Sequence, residues 1–223
     1  MSITHHPEDA TLMAYAAGTL SEPFGIIVAA HLEMCGQCRR ASRTMTALGA
    51  ATMQTAVPVE LAAGALGGIF ARLDEPDRPG QGRLKPLPAQ PIEACGLPRA
   101  LARVMGGGLD KIKWRHVLPG AEDRRVMFSG KAGMHSLRFL RAKPGMSLPE
   151  HGHVGTELTL VLQGSLRDGK HIYSPGDVTD LDDEGTHNPF VDGAETCICV
   201  IANEAPPLYK QLKMRLLQKM IGI

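Results

Sequence analysis

The chain has 223 residues, 43% of them hydrophobic and 21% charged, enough for one large or two small domains with buried cores. A net charge of +1 and an aromatic content of 4% argue against a bulk nucleic-acid binder and against stacking grooves for bases or sugars. Five cysteines and nine histidines are an excess of soft ligands; the odd cysteine count, a C-x-x-C pair, no leader-like segment and no run of ~18 apolar residues lead us to expect a soluble cytoplasmic protein with metal sites.

The first part of the chain reads as helical. Pro7 followed by Glu8 and Asp9 opens a first helix that ends at Gly18. Ser21 is placed to cap a second helix, with Pro23 in its first turn, running to about Cys35. A third is expected over about 37–48 and a fourth over about 59–73. The fourth contains Gly64, Gly67 and Gly68, each costing ~1 kcal/mol in a helix interior, so it needs packing or a partner. Prolines 76, 79, 86, 88, 91 and 98 then mark a semi-extended linker. Beyond it, short β-prone runs at 111–117, 124–128, 136–142, 158–163 and 196–201 alternate with turns such as Pro119-Gly120, Pro144-Gly145 and Pro175-Gly176-Asp177. This texture predicts an antiparallel jelly-roll barrel. Residues 208–223 are apolar-periodic and basic, fitting an amphipathic helix or a tail packed back on the barrel. The expected division is an all-α domain at 1–75, a linker at 76–98 and an all-β domain at 99–223.

Two groups of residues carry metal chemistry. In His31-x3-Cys35-x2-Cys38, the i, i+4 spacing puts His31 and Cys35 on one helix face, and C-x-x-C brings two thiolates to one ion. A tetrahedral site needs a fourth ligand, and the His5-His6 pair is the nearest supply. Such a His2Cys2 set is a closed, structural Zn2+ site that adds folding energy to a small helical unit. The alternatives are a redox C-x-x-C, which normally follows a strand, or two buried thiols. This pattern resembles the zinc-binding anti-sigma factors, whose ligands fall here on His6, His31, Cys35 and Cys38. The run 14–22 is also similar to that family, and His5 then becomes a solvated neighbour.

Gly145-x5-His151-x-His153-x3-Glu157-x6-Gly164 matches the first cupin motif. His-x-His sets two imidazoles on one face of a strand, and Glu157 adds an oxygen. The resemblance implies one further His from a second motif, and His187, after the Pro175-Gly176-Asp177 turn, is the candidate, although Asp182-Asp183-Glu184-Gly185 replaces the usual Pro-x-Gly. A His3Glu set leaves open positions and suits Zn2+ or another divalent metal.

Taken together, the two halves resemble the ChrR group of anti-sigma factors. The resemblance implies a non-enzymatic regulator whose N-terminal domain binds and inhibits a group IV (extracytoplasmic-function type) sigma factor of RNA polymerase. It further implies a zinc-bound cupin domain that releases the sigma factor in response to singlet oxygen or organic hydroperoxides. Leu61, Leu66, Ile69, Phe70 and Leu73 are candidate contacts, unless they close this domain's own core. The alternative is a metal-dependent cupin enzyme, a dioxygenase or isomerase, with an N-terminal zinc module. Direct nucleic-acid binding is disfavoured because Arg39, Arg40, Arg43 and Arg72 are scattered, and no membrane partner is expected. Cys197 and Cys199 read as small core residues or a redox pair, and Cys95 as a free thiol. His116, His135 and His171 have no partner in the sequence pattern.

Overall fold

Proline before an acidic first turn starts helix α1 (Asp9–Ala16), and Ser21 occupies the N-cap of α2 (Glu22–Met34) with Pro23 in the first turn. The computed structural model describes residues 2–73, 96–130, 133–182 and 185–221. Most of the expected linker, with Cys95, and also Asp183 and Glu184, lie outside the described residues.

Helix α3 (Gly36–Gln54) runs six residues past its expected end at 48, since no proline interrupts that stretch. By contrast α4 (Ala65–Leu73) starts later than expected. Gly64 sits at φ +84° ahead of it, a left-handed position that an α-helix does not pass through. No residue of α4 is buried.

A short helix that the sequence pattern did not reveal, α5 (Arg99–Met105), follows Pro98 and packs on α2. Its N-terminus is capped from a distance: the Arg99 and Ala100 amides donate to the Glu33 carboxylate at 2.8 and 2.9 Å. The expected strand over 111–117 begins as a 3-10 turn (Leu109–Lys111) and becomes β1 only at Arg115–Leu118.

The strands that follow are β2 (Ala121–Gly130), β3 (Gly133–Ala142), β4 (His151–Gly152), β5 (Glu157–Gln163), β6 (Ser165–Asp168), β7 (His171–Tyr173), β8 (Val178–Leu181), β9 (Thr186–His187), β10 (Phe190–Asp192) and β11 (Cys197–Asn203). They form a six-stranded antiparallel sheet in the order β1-β2-β3-β11-β5-β8, a three-stranded sheet β10-β6-β7 and a two-stranded ribbon β4-β9. The short strands from β6 to β10 escaped the sequence reading, because two to four residues are too few for a period of two to show. The C-terminal segment forms helix α6 (Leu212–Ile221), whose Met214 and Leu217 line the inside of the β domain; it is both helical and packed back. No described helix is long and apolar enough to cross a membrane.

Strand β5 explains how the two halves sit together. Its first five residues are all buried, which requires cover on both faces. Leu158 and Leu160 join Leu137 and Phe139 of β3 and Val200 and Ala202 of β11 on the outer face. That face packs against Phe24, Ile27 and Val28 of α2 and against Leu97 and Leu101 beside and within α5, in one continuous core. The alternate residues, Glu157, Thr159, Arg138, Leu140, Cys199 and Ile201, line the barrel interior. The helical unit therefore forms the outer layer of the sheet, joined to it by a common core as well as by the chain between them.

Candidate metal centres

The first constellation converges at this helix–sheet interface. Cys35 is the residue between α2 and α3, and its Sγ accepts from the Cys38 amide at 3.5 Å, so the turn folds both sulfurs to one side. His6 Nδ1 lies 3.6 Å from Cys35 Sγ and 3.3 Å from Cys38 Sγ. A tetrahedral zinc with Zn–S of ~2.3 Å and Zn–N of ~2.05 Å would separate N and S by about 3.5 Å, so these atoms match the edges of such a tetrahedron. His31 is fully buried; its Nδ1 donates to the Gly176 carbonyl at 2.8 Å, and its Nε2 has no hydrogen-bond partner. A ring fixed by Nδ1–H with a bare, enclosed Nε2 is oriented to ligate. All four donor atoms lie within 4.8 Å of one another. Burial lowers the His31 pKa, while burial and the Cys35 neighbour push the Cys38 thiol up to about 12. The Cys38 thiol in this setting ionises only when a cation shares its charge.

His5 does not behave as a solvated neighbour. Its amide and that of Thr4 donate to Asp177 Oδ1 at 2.9 and 2.7 Å, its Nδ1 lies 3.6 Å from Asp177 Oδ2, and its ring packs 4.4 Å from that of Tyr173. His171 meets the same ring pair, and His116 lies 3.3 Å from Glu122. The side chain of His135 lies outside what the structure describes.

The second constellation sits at one end of the barrel. Antiparallel pairing of β4 with β9 sets His151 directly opposite His187, and His153 lies two residues further on. His187 Nε2 is 3.1 Å from His151 Nε2 and 2.8 Å from His153 Nε2. His151 Nδ1 donates to the Pro149 carbonyl at 2.8 Å and His187 Nδ1 to Asp168 at 2.5 Å. With both Nδ1 protons directed outward, the Nε2 lone pairs of neutral rings face each other, an arrangement that calls for a cation between them. Separations near 3.0 Å also fit ligands at about 90° around a metal at ~2.1 Å, which leaves coordination positions open. Glu157 completes the set with all four donors within 4.8 Å, 5% exposed and held by Asn203 and Thr159. Burial lowers the pKa of His151, and burial with the His187 charge takes His153 down to about 4. For His187 burial also opposes charge, but Asp168 outweighs it and the pKa rises.

Asp168 and Asp177 are the polar residues that sequence reasoning missed. Both fall in or beside short glycine turns, where the pattern signals only a change of direction. Cys197 and Cys199 are buried free thiols on β11 that pack in the apolar clusters of the β domain, as the reading of small core residues expects, and not in either candidate ligand group.

Residues 105–206 match the family model of the ChrR cupin-like domain. The chain is also 36% identical, over its whole length and that of the relative, to the anti-sigma-E factor ChrR of Cereibacter sphaeroides. The chain belongs to the ChrR family of anti-sigma factors. Among solved structures it is similar to that of Rhodobacter sphaeroides SigE in complex with the anti-sigma ChrR, with a TM-score of 0.73 and 36% identity over 91% of this chain and 100% of that one. An RmlC-like cupin protein of Ralstonia eutropha matches 47% of this chain and 71% of its own, at 23% identity and a TM-score of 0.40.

Proposed function

We propose that this ChrR-family chain acts in the cytoplasm as a regulator, not an enzyme, by binding and inhibiting a group IV sigma factor. Leu48, Met53, Val57, Val59, Leu61, Leu66, Ile69, Phe70 and Leu73 are each between 58% and 86% exposed. That concentration of exposed apolar side chains within residues 48–73 is the observation that carries the reading. A monomer seldom exposes so many large apolar side chains in succession unless they meet a partner. The alternative role for Leu61, Leu66, Ile69, Phe70 and Leu73, closing their own domain's core, has no support in their exposure. Residues 1–75 are the docking unit, 76–98 the tether and 99–223 the sensing unit, with α5 fastening the end of the tether to α2.

In this reading His6, His31, Cys35 and Cys38 hold a structural Zn2+ that contributes folding energy. His151, His153, Glu157 and His187 hold Zn2+ or another divalent metal, which supplies an open Lewis-acid position when bound. Damage to that second site by singlet oxygen or organic hydroperoxides releases the sigma factor. Gly176 links the two units, since its carbonyl orients His31 from a β-domain turn.

Co-expression with candidate sigma factors followed by purification tests this directly. An equimolar complex is expected, and His151→Ala or Glu157→Ala should leave it intact while abolishing oxidant-driven release. Failure to isolate a complex with any sigma factor of the class would remove the anti-sigma reading. Release that survives both substitutions would remove the role of the cupin site.

A further inference from the structure

The barrel interior contains a cavity of about 80 Å³ next to the second metal centre. At ~10–15 Å³ per water-sized group, it has room for a ligand of about five to eight heavy atoms. Its wall is mostly apolar: Leu118, Leu140, Leu148 and Ile201 from the β domain, with Met214 and Leu217 from α6. Asp123, Glu157, Asp168 and, from the second centre, His151 and His187 also line it, and Arg138 is its one arginine. Its position on β3 alternates with Leu137 and Phe139, which face the helices, so its guanidinium is directed into the barrel.

Among the described residues no side chain pairs with this guanidinium. Arg138 Nε is enclosed without a hydrogen-bond partner, and among the described residues Arg138 takes part in no ion pair. The neighbouring acids are already engaged. Asp123 accepts from Arg115 through both oxygens at 3.0 and 3.1 Å. Glu157 is held by Asn203 and Thr159 and lies 3.3 Å from His153, and Asp168 accepts from His187. Burial and the nearby Arg125 disfavour the charge on Arg138 and outweigh the opposing pull of Asp123 and Glu157. A barrel shaped only for packing would place a leucine or methionine there. An arginine in an apolar cavity, with its fork unmatched, suits a planar anion presented bidentately.

We infer that the barrel cavity binds a small aliphatic monocarboxylate, with its carboxylate on Arg138 and its apolar body against Leu140, Ile201 and Met214. A single charged head and a short apolar tail match one guanidinium without an ion pair beside a patch of apolar wall, while the carboxylates that also line the cavity, Asp123, Glu157 and Asp168, are engaged elsewhere. The ligand would lie beside the second metal centre and report its occupancy to α6, which supplies part of the wall. This goes beyond sigma binding and does not depend on it.

Titration calorimetry on the purified full chain, with its metals, tests the assignment using propionate, propionamide and propylammonium as probes. Saturable binding of one propionate per chain is expected, with no measurable heat from the amide or the amine. Arg138→Met should weaken propionate binding at least about tenfold, and Arg138→Lys should retain part of it. Metal content and sigma copurification, measured on the same preparations, should be unchanged in both variants, so failure here is distinct from failure of the anti-sigma reading. Equal binding of propionate and propionamide to the unmodified chain would overturn the inference without any variant. So would full affinity in Arg138→Met, which would place the carboxylate on the metal alone, or no saturable binding of propionate at all.

Discussion

Asp177 offers the sharpest test of how the helical unit is fixed to the barrel. It is 1% exposed and accepts the amides of Thr4, His5 and Ser174 at 2.7, 2.9 and 2.8 Å. Two of these donors belong to the N-terminal segment that carries His6, so the carboxylate ties the neighbours of a candidate metal ligand to the turn that orients His31. Asp177→Asn keeps one acceptor oxygen but turns an N–H toward the Ser174 amide. Hydrogen bonds to a charged group contribute about 1.5–3 kcal/mol each and do not add fully, so Asp177→Asn should cost about 2–3 kcal/mol and Asp177→Ala about 3–5 kcal/mol. For a chain of this size, about 2–4 °C per kcal/mol translates the Asn variant into a melting temperature lower by about 4–12 °C. Circular dichroism melts give that number, and amide exchange at Thr4 and His5 should speed up in parallel. If melting shifts by less than about 2 °C and both amides stay protected, Asp177 is not the fastening described here.

The same carboxylate sets a pH dependence. Burial would raise its pKa, but the Ser174, His5 and Thr4 amides outweigh this and hold it below the usual carboxylate range. A depressed folded pKa contributes stability that is present above the unfolded value of about 3.9 and lost as pH falls through the folded one. Urea denaturation should therefore show a drop between pH 5 and pH 3, as round assay conditions, that is smaller in Asp177→Asn. In metal analysis, Cys35→Ser or Cys38→Ser should remove the ion of the first site alone, and His187→Ala that of the second alone; loss of both ions from a single ligand change would contradict two separate centres. Phe70 is 58% exposed, so Phe70→Asp should leave the melting temperature within about 1 °C of the parent. If Phe70 anchors the sigma factor, the same change should weaken binding by about thirtyfold or more, a loss of about 2 kcal/mol measurable by calorimetry.

Both ligand sets were legible in the sequence because their spacing is local. His31-x3-Cys35-x2-Cys38 uses one helix end and one turn, and His151-x-His153 uses one strand. Each set also had a member that spacing alone could not fix. For His6 and His187 the resemblance supplied the expectation, and the folded chain supplied the reason: β4–β9 pairing sets His187 against His151, and the Asp177 contacts bring the N-terminal segment to Cys38. Helix α4 begins at Ala65 rather than near the expected 59, because Gly64 adopts a positive φ that an α-helix does not pass through.

An excess of soft ligands, two local motifs and a change of texture from helical to β were enough for the sequence by itself to point to two candidate metal sites and two fold classes. Only the tertiary structure decided that the helices cover the outer face of the sheet, with a shared core and His31 oriented by Gly176. It also decided that Arg138 faces an apolar cavity and that residues 48–73 leave their apolar side chains in solvent. The physical reason is that hydrophobic periodicity records that a face is buried, not what buries it. Partners distant along the chain, such as Asp177 and Thr4, leave no mark in local pattern.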